Sequence, residues 1–248
     1  MALREDLEKQ GAWLFKWRSY LPLLLIPLFV IALKNFRVIE RIFGDNAGDL
    51  WESISVSISF LGLAIRCLTA GYVPRGTSGR NTQSQAAEVL NTTGMYSITR
   101  NPLYLGNFVI IFGVVLFIQV WWLALIILMA FWFYYERIIF AEEEFLREKF
   151  GREFTIWAQK TPMLIPRFKN WRKPELPFSF KTVLRREFST YFSIVAIYFF
   201  LELLGNIFIK KHFFTSNSWL IFFLGSMAIY YTLLFLKKKT RILDVPGR

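Results

Sequence analysis

The chain has 248 residues, 54% of them hydrophobic and 19% aromatic, with a mean hydropathy of +0.37, which excludes an ordinary soluble domain and points to a bilayer. The formal net charge is +12, but the basic residues lie between long apolar runs and form no continuous stripe, so anionic lipid headgroups rather than nucleic acid are the expected counter-charge. One cysteine, Cys67, and one histidine, His212, exclude an intramolecular disulfide and a Cys/His cluster for zinc, haem or iron–sulfur, and no metal site is expected.

Six membrane-embedded helices are expected, from apolar segments at 19–33, 53–70, 103–118, 120–135, 188–209 and 213–236. The first four are shorter than the roughly 20 residues of a full span, and the first carries Pro22 and Pro27. It is followed by Lys34-Asn35-Phe36-Arg37 rather than a small-residue cleavage site, so it is expected to stay as an anchor. Residues 53–60 alternate serine with larger apolar residues. A lone strand cannot satisfy its backbone in lipid, so this stretch is expected to be a helix whose serines face partner helices.

Asn101-Pro102 offers an N-cap oxygen and then a proline at the first helical position. Gly113 and the break at Gln119-Val120 describe a helical hairpin, whose second helix continues beyond the membrane to a stop at Gly151. Lysine and arginine are concentrated in the N-terminal segment, the 71–101 loop, residues 137–187 and the C-terminus. The positive-inside rule therefore predicts that these segments, with both termini, are cytoplasmic, at the inner membrane if the source is bacterial. The expected organisation is 1–92, membrane helices and a basic loop; 93–168, hairpin and cofactor-binding region; and 169–248, linker and two C-terminal helices.

The hairpin and its flanks hold Gly94-Met95-Tyr96, Arg100-Asn101-Pro102-Leu103-Tyr104-Leu105-Gly106, Glu142-Glu143, Phe145-Leu146, Phe150-Gly151, Trp157 and Ile165-Pro166. This ordered series resembles the isoprenylcysteine carboxyl methyltransferase and phospholipid methyltransferase superfamily. The resemblance implies an all-α integral membrane enzyme that uses S-adenosyl-L-methionine and a lipid or lipidated substrate. It implies cofactor-binding roles for Tyr96, Arg100, Asn101, Pro102, Tyr104, Gly106, Glu142 and Glu143. A glutamate would accept charge-assisted hydrogen bonds from the cofactor's ammonium, and Arg100, before a helix start, would meet its carboxylate. On position alone, Arg100 is equally a positive-inside anchor, and Glu142-Glu143-Glu144 equally a solvated acidic turn. Gly106 and Gly113 equally serve close helix packing.

One departure stands out: the family's histidine after the arginine is Asn101 here. Without a histidine base, an acceptor that is already anionic, phosphate or carboxylate, is favoured. Arg75 and Arg80, in the glycine- and hydroxyl-rich loop 71–82, and Arg66, inside an apolar helix, are the candidates to hold that anion at the catalytic centre. The loop is similar to bacterial superfamily members that methylate a lipid A phosphate, and equally reads as a flexible basic linker. The competing readings are a phospholipid amine N-methyltransferase, an NADPH-dependent sterol-type reductase that shares the hairpin, and a non-enzymatic scaffold. Ala141-Glu142-Glu143 and Lys149-Phe150-Gly151 depart from the reductase pattern of Arg-Asp-Glu and Lys-Tyr-Gly.

Overall fold

The computed structural model describes residues 3–17, 20–74, 76, 87–210 and 215–248, and every regular element among them is helical. The principal helices are α1 (Leu3–Trp17), α2 (Ile26–Ala32), α3 (Val38–Phe43), α4 (Asp45–Tyr72), α5 (Met95–Ile98), α6 (Pro102–Ile118), α7 (Trp121–Phe150), α8 (Arg152–Lys160), α9 (Phe180–Gly205) and α10 (Asn217–Lys239). The chain is an all-α, multi-pass membrane protein. Among the described residues four helices are long and apolar enough to cross a bilayer: α4, α7, α10 and the stretch Phe180–Phe208 containing α9.

The other two expected spans are apolar but short, Leu23–Ala32 and Pro102–Ile118. In the first, Pro22 and Pro27 each fall at the opening of a separate helical piece. A proline lacks the N–H that a continuous helix interior needs, so the segment is assembled from short turns instead of one rod. The hairpin is as expected: Gln119 turns it in the left-handed region at φ 63°, and α7 then runs for 30 residues, about 45 Å, to a stop at Gly151, φ 51°.

The alternating serines do form a helix, α4, but only half of them face partners. Ser59 donates to the Ile110 carbonyl of α6 at 2.8 Å, and the Tyr198 hydroxyl of α9 donates to the Ser55 carbonyl at 2.9 Å. Ser53 and Ser57 instead donate to carbonyls one turn back on the exposed face, since positions two apart on a helix point in widely different directions. Close approach of α4 and α6 depends on missing side chains. A Cβ on Gly62 would lie 2.7 Å from the Gly106 carbonyl oxygen, and one on Gly113 would strike Ser59.

At the hairpin-turn end, the backbone N–H of Ile39 donates to the Gln119 side chain at 2.7 Å. Beside it, Arg37 is 3% exposed and reaches Glu202 of α9 as well as Glu40 at 3.3 Å and Glu52 at 3.2 Å. Burial opposes the charge on Arg37, but Glu202 and Glu52 outweigh it and hold its pKa above the ordinary value. At the other end, α1 lies against the far half of α7, with Arg4 paired to Glu144. Arg248 donates there to the carbonyls of Gly71 and Pro177.

Two outcomes follow from this arrangement. Arg37→Ala leaves Glu40, Glu52 and Glu202 together without their cation and should lower stability by about 3–5 kcal/mol; thermal unfolding in detergent measures it, with partial recovery in Arg37→Ala/Glu202→Gln. Because Arg4 and Arg248 are both anchored at the end opposite the hairpin turn, reporter tags before Leu3 and after Arg248 should report the same compartment; opposite signals would refute the arrangement.

Candidate active site

The end of the bundle opposite the hairpin turn is built by lacing two stretches of chain together. The N–H of Gly94 donates to the Arg172 carbonyl at 2.9 Å, that of Arg100 to Pro162 at 2.9 Å, and that of Arg167 to Ile98 at 2.9 Å. Thr99 adds bonds from its hydroxyl to the carbonyls of Met163 and Leu164 at 3.2 and 3.1 Å. Helix α8 closes over this seam with Phe154 and Trp157 turned inward, and the Trp157 indole N–H donates to the Tyr96 carbonyl at 3.1 Å. The Ile165-Pro166 end of the motif lies in the returning stretch, directly beside the Gly94–Arg100 stretch it supports.

Three consecutive glutamates on α7 diverge from this seam because neighbouring helical positions point about 100° apart. Glu142 accepts from the Tyr104 hydroxyl at 2.8 Å. Glu143 pairs with Arg100, Oε1 to Nε, at 3.0 Å, with side chains 16% and 17% exposed. Glu144 is buried and pairs with Arg4 and Arg147. The acidic run is therefore no solvated turn. Two glutamates face the motif, and the third fastens α1.

The polar layer continues inward. The Tyr104 and Tyr135 rings are 4.7 Å apart, and the Asn107 amide donates to the Tyr135 hydroxyl at 3.3 Å. Arg66 donates to Asn107 Oδ1 at 2.6 Å and makes two bonds to Glu187 of α9, at 2.8 and 3.0 Å. Charged groups this deep are tolerated when each meets an opposite charge and further hydrogen bonds, and here each does.

The residues expected from the sequence fall into four groups. Arg100, Asn101, Tyr104, Glu142 and Glu143 come together at the seam. Tyr96 reaches Trp157 through its backbone, Pro102 is buried in the first turn of α6, and Gly106 makes room, since a Cβ there would lie 2.5 Å from Arg66 Cγ. Arg66 sits deeper and already carries a carboxylate, so an acceptor anion would have to displace Glu187. Arg75 and Arg80 lie outside the described residues, as does His212.

One expectation is corrected: the Asn101 side chain makes no N-cap hydrogen bond. Its amide is used elsewhere, donating to the Met163 carbonyl at 3.1 Å. Asn107, Tyr135 and Glu187 were missed. Asn107 had a visible signal, a polar amide just after Gly106 in an otherwise apolar helix. Glu187 stands just before an apolar run within a basic segment, and its importance depends on a partner 121 positions away.

Carboxylates, a guanidinium, an amide and phenols thus meet in a half-buried layer where α6, α7 and α8 converge. Such a set can bind a ligand carrying both an ammonium and a carboxylate, with aromatic rings beside it.

Comparison with known proteins bears on this region. Residues 76–153 match the family model described as Phospholipid methyltransferase. The chain is 32% identical over 122 residues to the nickel-cobalt-cadmium resistance protein NccN of Alcaligenes xylosoxydans xylosoxydans, covering 49% of this chain and 57% of that protein. It is 28% identical over 140 residues to the cobalt-zinc-cadmium resistance protein CzcN of Cupriavidus metallidurans, covering 56% of this chain and 62% of that protein. The match therefore spans less than two thirds of either relative. No solved structure matches the chain. The family match takes in Tyr96, the Arg100–Gly106 motif and both seam glutamates, so residues 76–153 match the phospholipid methyltransferase family through the same residues that carry the superfamily resemblance.

Proposed function

We propose that this methyltransferase-family protein uses S-adenosyl-L-methionine to methylate an anionic oxygen, phosphate or carboxylate, on a lipid-like acceptor at the cytoplasmic face of its membrane. The observation that carries the reading is the convergence of Glu142, Glu143, Arg100 and Tyr104 inside the family-matched stretch. The donor set fits the cofactor group by group: carboxylates for its ammonium, Arg100 for its carboxylate, and the rings of Tyr104 and Tyr135 for its adenosine or sulfonium. S-adenosyl-L-methionine, when bound, supplies a methyl group on a cationic sulfur, and transfer breaks that carbon–sulfur bond as the carbon–oxygen bond forms. The protein's share is to hold the two reactants in line and exclude water.

Asn101 supports an acceptor that needs no deprotonation. Its amide, bound to the Met163 carbonyl, offers no basic nitrogen where the family has a histidine. An anionic oxygen attacks without losing a proton, whereas an ammonium headgroup must first lose one. Arg75 and Arg80, on the basic loop, remain the candidates to hold that anion, with Arg66 available only by exchange with Glu187. The second reading, N-methylation of a phospholipid amine, is favoured by one observation: among the described residues of the layer, the carboxylates of Glu142, Glu143 and Glu187 stand beside the guanidiniums of Arg66 and Arg100, and such carboxylates suit a cation.

The names of the relatives fit the first reading through simple electrostatics. Methylating a phosphomonoester removes one ionisable proton and about one negative charge, and methylating a carboxylate removes its charge altogether. A less negative membrane surface concentrates fewer divalent cations.

Two measurements test the proposal. Glu142→Gln and Glu143→Gln should each weaken S-adenosyl-L-methionine binding about tenfold or more in calorimetry, the loss of a charge-assisted contact, whereas Glu144→Gln should lower the unfolding temperature and leave binding intact. Unchanged affinity in both seam variants, or tight NADPH binding, would sink the assignment. Purified protein offered a lipid phosphomonoester, a prenylcysteine and phosphatidylethanolamine separately should label an anionic acceptor with a nearly flat profile from about pH 6 to 9. Labelling of the amine alone, rising steeply with pH, would establish the second reading instead.

A further inference from the structure

The arginines drawn into the bundle are committed to carboxylates: Arg37 holds three, and Arg66 and Arg100 each pair with one. Four other cations behave differently. Lys160, Arg167, Lys169 and Arg172 line an open cleft of about 820 Å³ between the outer side of α8 and the stretch that returns toward α9. Among the described residues none of the four is ion-paired. Among the described residues only Glu153 offsets them along the cleft wall. The walls are set by structure already described: Arg172 donates its N–H to the Ser97 hydroxyl at 3.0 Å, and the Asn170 amide donates to the Lys160 carbonyl at 2.6 Å. Glu142, Glu143, Arg100 and Tyr104 are not among the lining residues, so the cleft borders the seam through Ser97, Trp157, Arg167 and Arg172 but is distinct from the carboxylate cluster.

The same stretch turns large apolar side chains outward, between the cations. Ile165 is 79% exposed, Phe168 75% and Trp171 51%, and they recur every third residue through Arg167, Lys169 and Arg172. Aqueous exposure of three such side chains in a row is costly. Cations interleaved with a tryptophan and other apolar residues, just before a membrane-spanning helix, suit a boundary between headgroups and acyl chains.

We propose that this cleft is a binding site for the phosphate of an anionic lipid headgroup, with Ile165, Phe168 and Trp171 held against the lipid's apolar part. The phosphate neutralises guanidinium and ammonium groups that have no counter-ion among the described residues, and the apolar residues distinguish a lipid phosphate from a free one. Bound lipid would fasten the returning stretch, and through its bonds to Gly94, Ile98 and Arg100, the seam beside it.

The full chain in detergent provides the test, with binding of dioctanoyl phosphatidylglycerol, dioctanoyl phosphatidylcholine and glycerol phosphate measured by thermophoresis. Phosphatidylglycerol should bind about tenfold or more tightly than phosphatidylcholine, weaken as salt is raised, and fall to the phosphatidylcholine level in Arg167→Gln/Lys169→Gln/Arg172→Gln. Phe168→Ser/Trp171→Ser should weaken phosphatidylglycerol and leave glycerol phosphate unchanged. If the charge variant fails to fold, the salt titration on the unaltered protein decides the electrostatic part. Equal binding of the two lipids, salt-independent binding, or glycerol phosphate binding as tightly as phosphatidylglycerol would overturn the proposal. So would displacement of the lipid by S-adenosyl-L-methionine, which would assign the cleft to the cofactor; loss of cofactor binding in the seam variants alone leaves the lipid site standing.

Discussion

A guanidinium carried into an apolar bundle must bring a carboxylate with it, and where that carboxylate sits decides which helices are joined. Arg37, before α3, takes Glu202 on α9, and Arg66, on α4, takes Glu187 near the start of α9. The two glutamates are about four helical turns apart on one rod, so α9 is fastened to the first half of the chain near both ends. Arg100 takes Glu143 and thereby ties the start of α6 to the far half of α7. Each pair costs desolvation that its own attraction barely repays, so their main effect is on geometry. A sliding helix would leave a buried charge alone, which costs far more than the pair yields.

Between these pairs the bundle relies on absence of bulk. Gly62 against Gly106, and Gly113 against Ser59, let α4 and α6 run with backbones nearly touching, where serine and tyrosine hydroxyls bond directly to neighbouring carbonyls. In lipid there is no hydrophobic gain from bringing helices together, so close packing and such hydrogen bonds hold them. The seam is built on the most tightly packed pair of helices, which supports Tyr104 and Asn107 from behind.

Helix content, the hairpin, its turn at Gln119 and the stop at Gly151 were legible because they depend on local chemistry: apolar length, a proline at a helix start, a glycine at its end. The seam was legible through its motif, since the residues lie close along the chain or at fixed spacing. What could not be read were partners. Nothing local in Glu187 or Glu202 announces Arg66 or Arg37, and the segment carrying Pro22 and Pro27 looked like a span because hydropathy counts residues without asking whether they continue one helix. Asn101 was misread for the opposite reason. Its position matched a local capping rule, but a tertiary carbonyl at Met163 took its side-chain amide instead.

The three glutamates of α7 show how one local sequence serves two purposes. Because consecutive side chains turn by about 100°, a run of three cannot face one ligand. Glu144 faces α1 and is consumed by Arg4 and Arg147, which leaves Glu142 and Glu143 on the motif side. These two differ in their holders. Glu143 is set against a full positive charge on Arg100, so a ligand's ammonium would compete with an arginine for it. Glu142 is held by the phenol of Tyr104, a neutral donor whose hydrogen bond orients the carboxylate without cancelling its charge. A cationic group entering the seam meets these two carboxylates, while Arg100, if Glu143 turned toward that cation, would be left to receive an anion. The pairing seen along the seam is in this sense complementary to a zwitterion: separating Arg100 from Glu143 exposes one charge of each sign, spaced by the width of the ion pair they formed.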